Sequence, residues 1–379
     1  MARCRFCGKN SPLTAASLGV CRSCLRSEPA GLSDHLDRVH ETARRPFGLP
    51  PHPPNDPQGL PCRRCANRCR IPEGAVGYCG LRVNKGNRLV GGKTSLGRVH
   101  WYLDPLPTNC VADWVCPAGT GAGYPEWAHL PGPERGYANL AVFYRGCSFD
   151  CLGCQNWQCR EICDTETGLS PRALAAQASG RVACICFFGG DPSPQIPHSL
   201  AVAAAARKRQ GGRILRICWE TNGTMHPRWL ERAMRTALES GGCIKFDLKA
   251  WDERIHVALA GRSNRQTLAN FRRAAELAGT RQEPPALVAS TLLVPGYVDV
   301  AEVSKIAAFI AGLDRDIPYA LLGFHPQFYL HDLPVTSRAH AEAAVAAAKT
   351  AGLRRVHIGN RQLLGSEYGV EDMVGNGQT

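Results

Sequence analysis

From about Asn139 onward, short apolar runs at 140–144, 183–188, 214–219, 243–248, 287–294 and 318–324 alternate with helical stretches. This rhythm restricts the fold more than any other feature of the chain. Runs that are apolar at nearly every position read as strands buried on both faces, the habit of parallel sheets. The helices between them have legible ends. Ser170-Pro171 opens one, and Pro227 opens another that stops before Gly241-Gly242. Asp299 opens a third that ends at Gly312, and Thr336 a fourth that ends at Gly352. Residues 341–351, AEAAVAAAKTA, read as a packed Ala-rich helix. Six βα units, with a further strand at 354–358, predict an α/β chain in the form of a partial or open (β/α)6 barrel. Barrel chemistry sits where strands end on their C-terminal side, and the motifs of this chain fall there.

The first strand exits into GCSFDCLGCQNW, a Cys-x3-Cys-x2-Cys loop of Cys147, Cys151 and Cys154. Three thiolates in one turn can wrap a corner of a metal cluster. Iron–sulfur cubanes normally take four, so such a loop leaves one iron open to an outside group. A zinc loop or a chance cluster is the blander account. The second strand exits into Gly189-Gly190-Asp191-Pro192, where paired glycines let backbone approach a ligand closely. The third ends in Cys218-Trp219-Glu220-Thr221-Asn222-Gly223 and the fourth in Lys245-Phe246-Asp247-Leu248-Lys249.

Upstream, Cys4, Cys7, Cys21 and Cys24 form two Cys-x2-Cys knuckles, close to a zinc-ribbon pattern. So small a segment would draw its folding energy from metal. Residues 45–61, RPFGLPPHPPNDPQGLP, read as a linker. Cys62, Cys65, Cys69 and Cys79 then suggest a second four-thiolate site, for zinc or for an iron–sulfur cluster. The predicted division is a zinc-ribbon-like module at 1–44, a Pro-rich linker at 45–61 and a Cys-rich extension at 62–138. A core barrel at 139–365 and a C-terminal tail at 366–379 complete it. Nineteen cysteines, an odd number and largely in close pairs, argue for reduced metal-bound thiols rather than disulfides. Met1 is followed by Ala-Arg-Cys-Arg without an apolar leader, and no apolar run is long enough for a membrane span, so a cytoplasmic protein is expected. The net charge of +13 is scattered and lacks the aromatic interleaving of a nucleic-acid platform, which makes nucleic acid an unlikely partner.

The cysteine loop with its Gly-Gly-Asp-Pro companion resembles the radical SAM superfamily. The Glu-Thr-Asn-Gly and Asp-Leu-Lys strand ends narrow the likeness to the activating enzymes of pyruvate formate-lyase and their relatives. So do Asp252-Glu253, Ile255-His256, Gly261, Ser263-Asn264, Thr267-Leu268 and Val294-Pro295-Gly296-Tyr297. Phe324-His325-Pro326, Tyr329, Asp332-Leu333-Pro334, Thr336, Gly352-Leu353 and Ile358-Gly359-Asn360 resemble the AmmeMemoRadiSam-type branch, as does the Cys62–Cys79 region. The resemblance covers about residues 60 to 365.

It implies a partial TIM-like radical SAM barrel with a [4Fe-4S] cluster on Cys147, Cys151 and Cys154. S-adenosylmethionine (SAM) would occupy the open iron and yield a 5′-deoxyadenosyl radical that abstracts hydrogen. Gly153, Gly189, Gly190, Asp191, Glu220, Asn222, Asp247, Lys249 and His325 are the implied cofactor-binding residues. Two departures stand out. Asp191 replaces the usual Glu, and Gly153 replaces a common aromatic that packs on adenine, a role Trp157 is expected to take. Cys110, Cys116, Cys159 and Cys163 are additional to the relatives' pattern and are expected to hold an auxiliary [4Fe-4S] cluster, the alternative being four buried free thiols that only pack. The expected function is hydrogen abstraction from a small molecule, lipid or peptide, with reduction by a donor such as flavodoxin or ferredoxin. The alternative in the same class is generation of a glycyl radical on a partner protein. The alternative from another class is a zinc-dependent, basic nucleic-acid-binding protein.

Overall fold

The structure, a computed structural model, describes residues 1–162 and 168–372. Its centre is an eight-stranded sheet made of β1 (Val99–Pro105), β2 (Ala138–Tyr144), β3 (Val182–Gly189) and β4 (Arg216–Thr221), followed by β5 (Ile244–Asp247), β6 (Leu287–Leu293), β7 (Tyr319–Gly323) and β8 (Val356–Gly359). The strands lie in chain order; β1 is antiparallel to β2, and β2 through β8 are parallel. The six expected strands and the seventh at the end of the chain are all present, with boundaries shifted by a few residues. The sheet is an open barrel with edges at β1 and β8.

Crossover helices cover the outside: α3 (Pro171–Gln177), α4 (Ile196–Gln210), α5 (Pro227–Ser240), α6 (Glu253–Ala260), α7 (Arg265–Ala278), α8 (Val300–Ala311) and α9 (Arg338–Thr350); α1 (Arg22–Ser27) and α2 (Leu32–Arg44) precede the barrel. The caps act as their residue types require. Ser170 Oγ accepts from Ala173 N at 3.1 Å, and Asp299 Oδ1 from Glu302 N at 2.9 Å. One cap differs from expectation. Ser337, not Thr336, opens α9, because the Thr336 hydroxyl is used between strands, donating to Leu293 O at 2.7 Å.

The N-terminal segment is not self-contained. Cys4, Leu18, Val20 and Leu25 are buried in the same apolar core as the barrel helices. The Tyr297 hydroxyl accepts from Ala15 N and donates to Val20 O, each at 3.0 Å. A six-residue α1 with few apolar residues of its own gains burial by docking on α6, so the predicted module boundary at 44 cuts through one core. Nor does the stretch 45–61 span free space: Arg44 Nε donates to Pro50 O and Arg70 N to Pro54 O, both at 2.7 Å. Tyr368, in the predicted tail, is buried with its hydroxyl 2.9 Å from His340 Nδ1.

Candidate active site

The chain leaves β2 at Gly146, whose φ of +76° suits glycine and whose added Cβ would lie 2.6 Å from Leu81 Cδ1. The cysteine loop that follows is clasped from behind. Its backbone donates from Asp150 N to Ala260 O at 2.8 Å and from Leu152 N to Leu259 O at 2.9 Å, at the end of α6. The Asp150 side chain is buried and meets His40 Nδ1 at 2.7 Å, Arg44 Nη1 at 3.4 Å and the Arg160 guanidinium. Burial pulls the Asp150 pKa up, but the His40 hydrogen bond and the Arg160 charge win and hold it below its ordinary value. With the acid fixed, Cys147, Cys151 and Cys154 face a cavity of about 240 Å³ at the C-terminal ends of the strands.

That cavity is also lined by Gly153, Gly189, Gly190, Asp191, Glu220, Asn222, Asp247 and Lys249, so the structure brings together most of the expected site. Backbone crowding explains the glycines. A Cβ on Gly190 would stand 2.4 Å from Gly146 O, and one on Gly153 would stand 3.0 Å from Leu330 Cδ1 and 3.2 Å from Phe324 Cε2. The space an aromatic before Cys154 would use is thus filled from β7 and its exit.

The acids divide in role. Asp191 is consumed internally: Oδ1 accepts from Thr221 Oγ1 at 2.7 Å and Asn222 N at 3.1 Å, and Oδ2 from Ser193 N at 3.0 Å. It joins the exits of β3 and β4 and has little left for a ligand. Asn222 continues the chain, donating to Ser148 Oγ at 2.8 Å and reaching Cys147 Sγ at 3.8 Å. Asp247 is different. One oxygen pairs with Lys249, while Oδ1 is buried without a partner among the described residues.

The thiols differ as well. Burial raises Cys151 to about 11, with Lys249 opposing. A hydrogen bond from Cys159 lowers Cys154 to about 7, against burial. Burial, with Asp191 and Cys151 beside it, pushes Cys147 well up. Burial alone would lower Lys249, but Asp247 and Cys151 keep its ammonium above the ordinary lysine range.

Three expectations are corrected here. His325 is exposed, with Nδ1 3.0 Å from Pro326 O, and does not line the cavity, because the chain after Phe324 turns outward. Trp157 stacks on Phe328, rings 5.7 Å apart and 8° from parallel, and does not line the cavity either. The described members of the additional cysteines do not form one group. Cys159 lies beneath Gly190 beside Cys154, whereas Cys110 and Cys116 line a separate cavity inside the barrel. Cys163 lies outside the described residues.

Of the other two cysteine groups, the second reaches the loop. The sulfurs of Cys4, Cys7, Cys21 and Cys24 all lie within 4.8 Å of one another, close enough for one tetrahedral ion. Cys62, Cys65, Cys69 and Cys79 line one small pocket with Arg64 and Arg82. From that pocket Asn67 Nδ2 reaches Ser148 O at 2.8 Å, inside the cysteine loop. The sequence did not signal the partners of Asp150, and the Asn67 contact was equally silent.

Residues 141–310 match the model of the radical SAM superfamily. A provisionally named glycyl-radical enzyme activating enzyme of Methanocaldococcus jannaschii is 28% identical over 193 residues, 49% of this chain and 67% of that protein. An uncharacterized protein of the same organism is 24% identical over 311 residues, 80% of this chain and 82% of its own. A solved domain of pyruvate-formate lyase-activating enzyme from Bacteroides vulgatus aligns with TM-score 0.37 and 21% identity, over 46% of this chain and 98% of that one. Residues 141–310 thus carry a radical SAM domain, and the likenesses support an enzyme of that type. No helix among the described residues is long and apolar enough to cross a membrane.

Proposed function

We propose that Cys147, Cys151 and Cys154 hold a [4Fe-4S] cluster, that SAM binds beside it, and that the enzyme abstracts hydrogen from a substrate admitted to the barrel. The residues present fit that pair. Three thiols from one clasped loop face the cavity, and a fourth thiol that lines it, Cys159, is engaged as a donor to Cys154. The observation that carries the reading is the buried Asp247 Oδ1, without a partner among the described residues, in the cavity that the three loop thiols and Lys249 also line. A buried carboxylate oxygen without a donor is costly, and an ammonium or hydroxyl would satisfy it.

Held by these residues and reduced, such a pair would supply carbon-radical chemistry for hydrogen abstraction. The chain's own residues do the rest. Lys249 offers a cation to a carboxylate, Asp247 accepts from an amine or hydroxyl, and the glycines at 189 and 190 bring backbone N–H and C=O groups to the ligand. Leu292, Val294, Leu322 and Leu330 line the other side of the cavity and exclude water. Among substrates, a small molecule or peptide side chain is favoured by a further cavity of about 700 Å³ in the barrel that shares Gln155, Asn156, Phe188 and Glu220 with the first. A glycyl radical on a partner protein is the second reading, favoured by the name of the first relative. We read the N-terminal thiol quartet as a zinc site, a reading that its tight spacing supports.

The test is anaerobic. Protein reduced by dithionite or a flavodoxin system should convert SAM to 5′-deoxyadenosine and methionine. Cys151→Ala should abolish this. Wild-type rates in the variant would remove the assignment.

A further inference from the structure

Below the cofactor cavity, the barrel strands turn a second set of cysteines inward. Alternation along β3 presents Cys184, Cys186 and Phe188 to the lumen, and along β4 Arg216, Cys218 and Glu220. The register sets Cys186 directly beside Cys218 and Cys184 beside Arg216. Cys243 enters one step before β5, next to Lys245. The segment between β1 and β2 then adds Cys110 and Cys116. It crosses the open side of the barrel, with Trp114 stacked on His357 of β8 at 5.0 Å. A buried pair of Glu134 with Arg216, Nη1 to Oε1 at 2.8 Å, anchors it. Six cysteines thus line one luminal cavity of about 700 Å³.

We infer that this lumen holds an auxiliary iron–sulfur cluster on Cys110, Cys116, Cys186 and Cys218. Three observations carry the choice. Cys110, Cys116 and Cys218 keep partial exposure, as Cys147, Cys151 and Cys154 do, and Cys186, though buried, stands beside Cys218 in the sheet register. Lys245, itself 1% exposed, places its ammonium 3.0 Å from Cys110 Sγ and 3.1 Å from Cys186 Sγ. One ammonium between two sulfurs favours thiolates, the ligating form, and hydrogen bonds to sulfur are a standard means of tuning such clusters. Finally, the luminal sulfurs are not gathered as closely as the N-terminal quartet, which lies within 4.8 Å. Ligands of one zinc ion must be that close; ligands of a cubane stand further apart because each binds a different iron. Cys184 is left out because its thiol reaches Asn139 Oδ1 at 3.4 Å, and Cys243 because its thiol is engaged in a hydrogen bond to Cys218.

The experiment uses the full chain, reconstituted anaerobically with iron and sulfide. Cys110→Ala with Cys116→Ala should lose about four iron and four sulfide per chain relative to wild type, and Cys218→Ser should lose the same. The change that SAM induces in the paramagnetic signal of the loop cluster should persist in both, showing an intact barrel. Cys184→Ala should keep the full complement. Replacing Cys147, Cys151 and Cys154 together should leave a reducible cluster whose signal ignores SAM, so this inference and the cofactor site can fail separately. Unchanged iron in the double variant, loss of one zinc with iron unchanged, or equal loss in Cys184→Ala would overturn the assignment.

Discussion

The N-terminal quartet and the Cys147–Cys154 loop are both built from closely spaced cysteines, yet they reach opposite geometries. In the quartet, two short turns close on each other until four sulfurs lie within 4.8 Å. In the loop, three cysteines are held apart around a cavity by groups that contribute no sulfur: Asp150, its three basic partners and the end of α6. The first arrangement is fixed by local spacing and completed by metal. The second is fixed by tertiary structure, so a cavity is already formed in the protein alone. Variants that distinguish local from tertiary control therefore test the comparison.

The largest effect is expected at Asp150. Asp150→Ala leaves Arg44 and Arg160 buried without their shared acid, a loss in the range of roughly 3–5 kcal/mol. The loop should lose its iron and SAM cleavage should fall more than about 100-fold, while metal at the quartet stays. Asp150→Asn, which keeps a hydrogen-bond acceptor without charge, should fall between. Iron content at the wild-type level in Asp150→Ala would show that the loop, like the quartet, organises itself. Next comes Cys7→Ser at the quartet, an exposed position whose loss should release its metal. Leu18, Val20 and Leu25 share the barrel core, so the unfolding midpoint should drop by several degrees, as about 2 kcal/mol implies for a chain of this size. Loop iron should be retained. A midpoint unchanged on metal loss would make the N-terminal segment independent of the barrel after all.

How much of this was legible depended on the range of the interactions. The strands, most caps, the quartet, the cysteine loop and the acids at the ends of β4 and β5 are written in spacings of a few residues. The clasp is not, because His40 and Asp150 are 110 positions apart. The luminal cysteines were hidden for another reason. Strands buried on both faces lack a polar alternation, so nothing in ACICFF tells which residues face the lumen. Cys110 and Cys116 were suspected, but were paired with their neighbours in the sequence, Cys159 and Cys163, rather than with cysteines across the sheet. Likewise His325 follows a strand end, yet the turn that carries it outward depends on Thr336 holding Phe324 N at 2.7 Å.

A moderate effect is expected at Asp247, the tertiary counterpart in the pocket. Asp247→Asn keeps the shape but replaces an acceptor-only group, and it removes the charge beside Lys249. The KM for SAM should rise about tenfold, the equivalent of roughly 1.4 kcal/mol, from one charge-assisted hydrogen bond. The turnover number should change less. A lower turnover with unchanged KM would instead assign Asp247 to the reaction step rather than to binding.

The smallest effect concerns Cys159, the thiol that donates to Cys154. In metal-free protein the Cys159 hydrogen bond, with Arg160 and Lys249 nearby, brings Cys154 down to about 7, while burial holds Cys151 at about 11. Thiolate is the alkylated form. Alkylation of Cys154 by iodoacetamide should therefore rise through a midpoint near pH 7, well before Cys151 reacts. Removing the donor with Cys159→Ala destabilises the thiolate relative to the thiol, so the midpoint must move up, toward the ordinary value of about 8.5. The quartet offers the contrast, since the thiols that hydrogen-bond Cys4 and Cys24 are its own members, and Cys159→Ala should leave its reactivity unchanged. If the Cys154 midpoint stays where it was, the low value comes from Arg160 and Lys249, and Cys159 is only packing beneath Gly190.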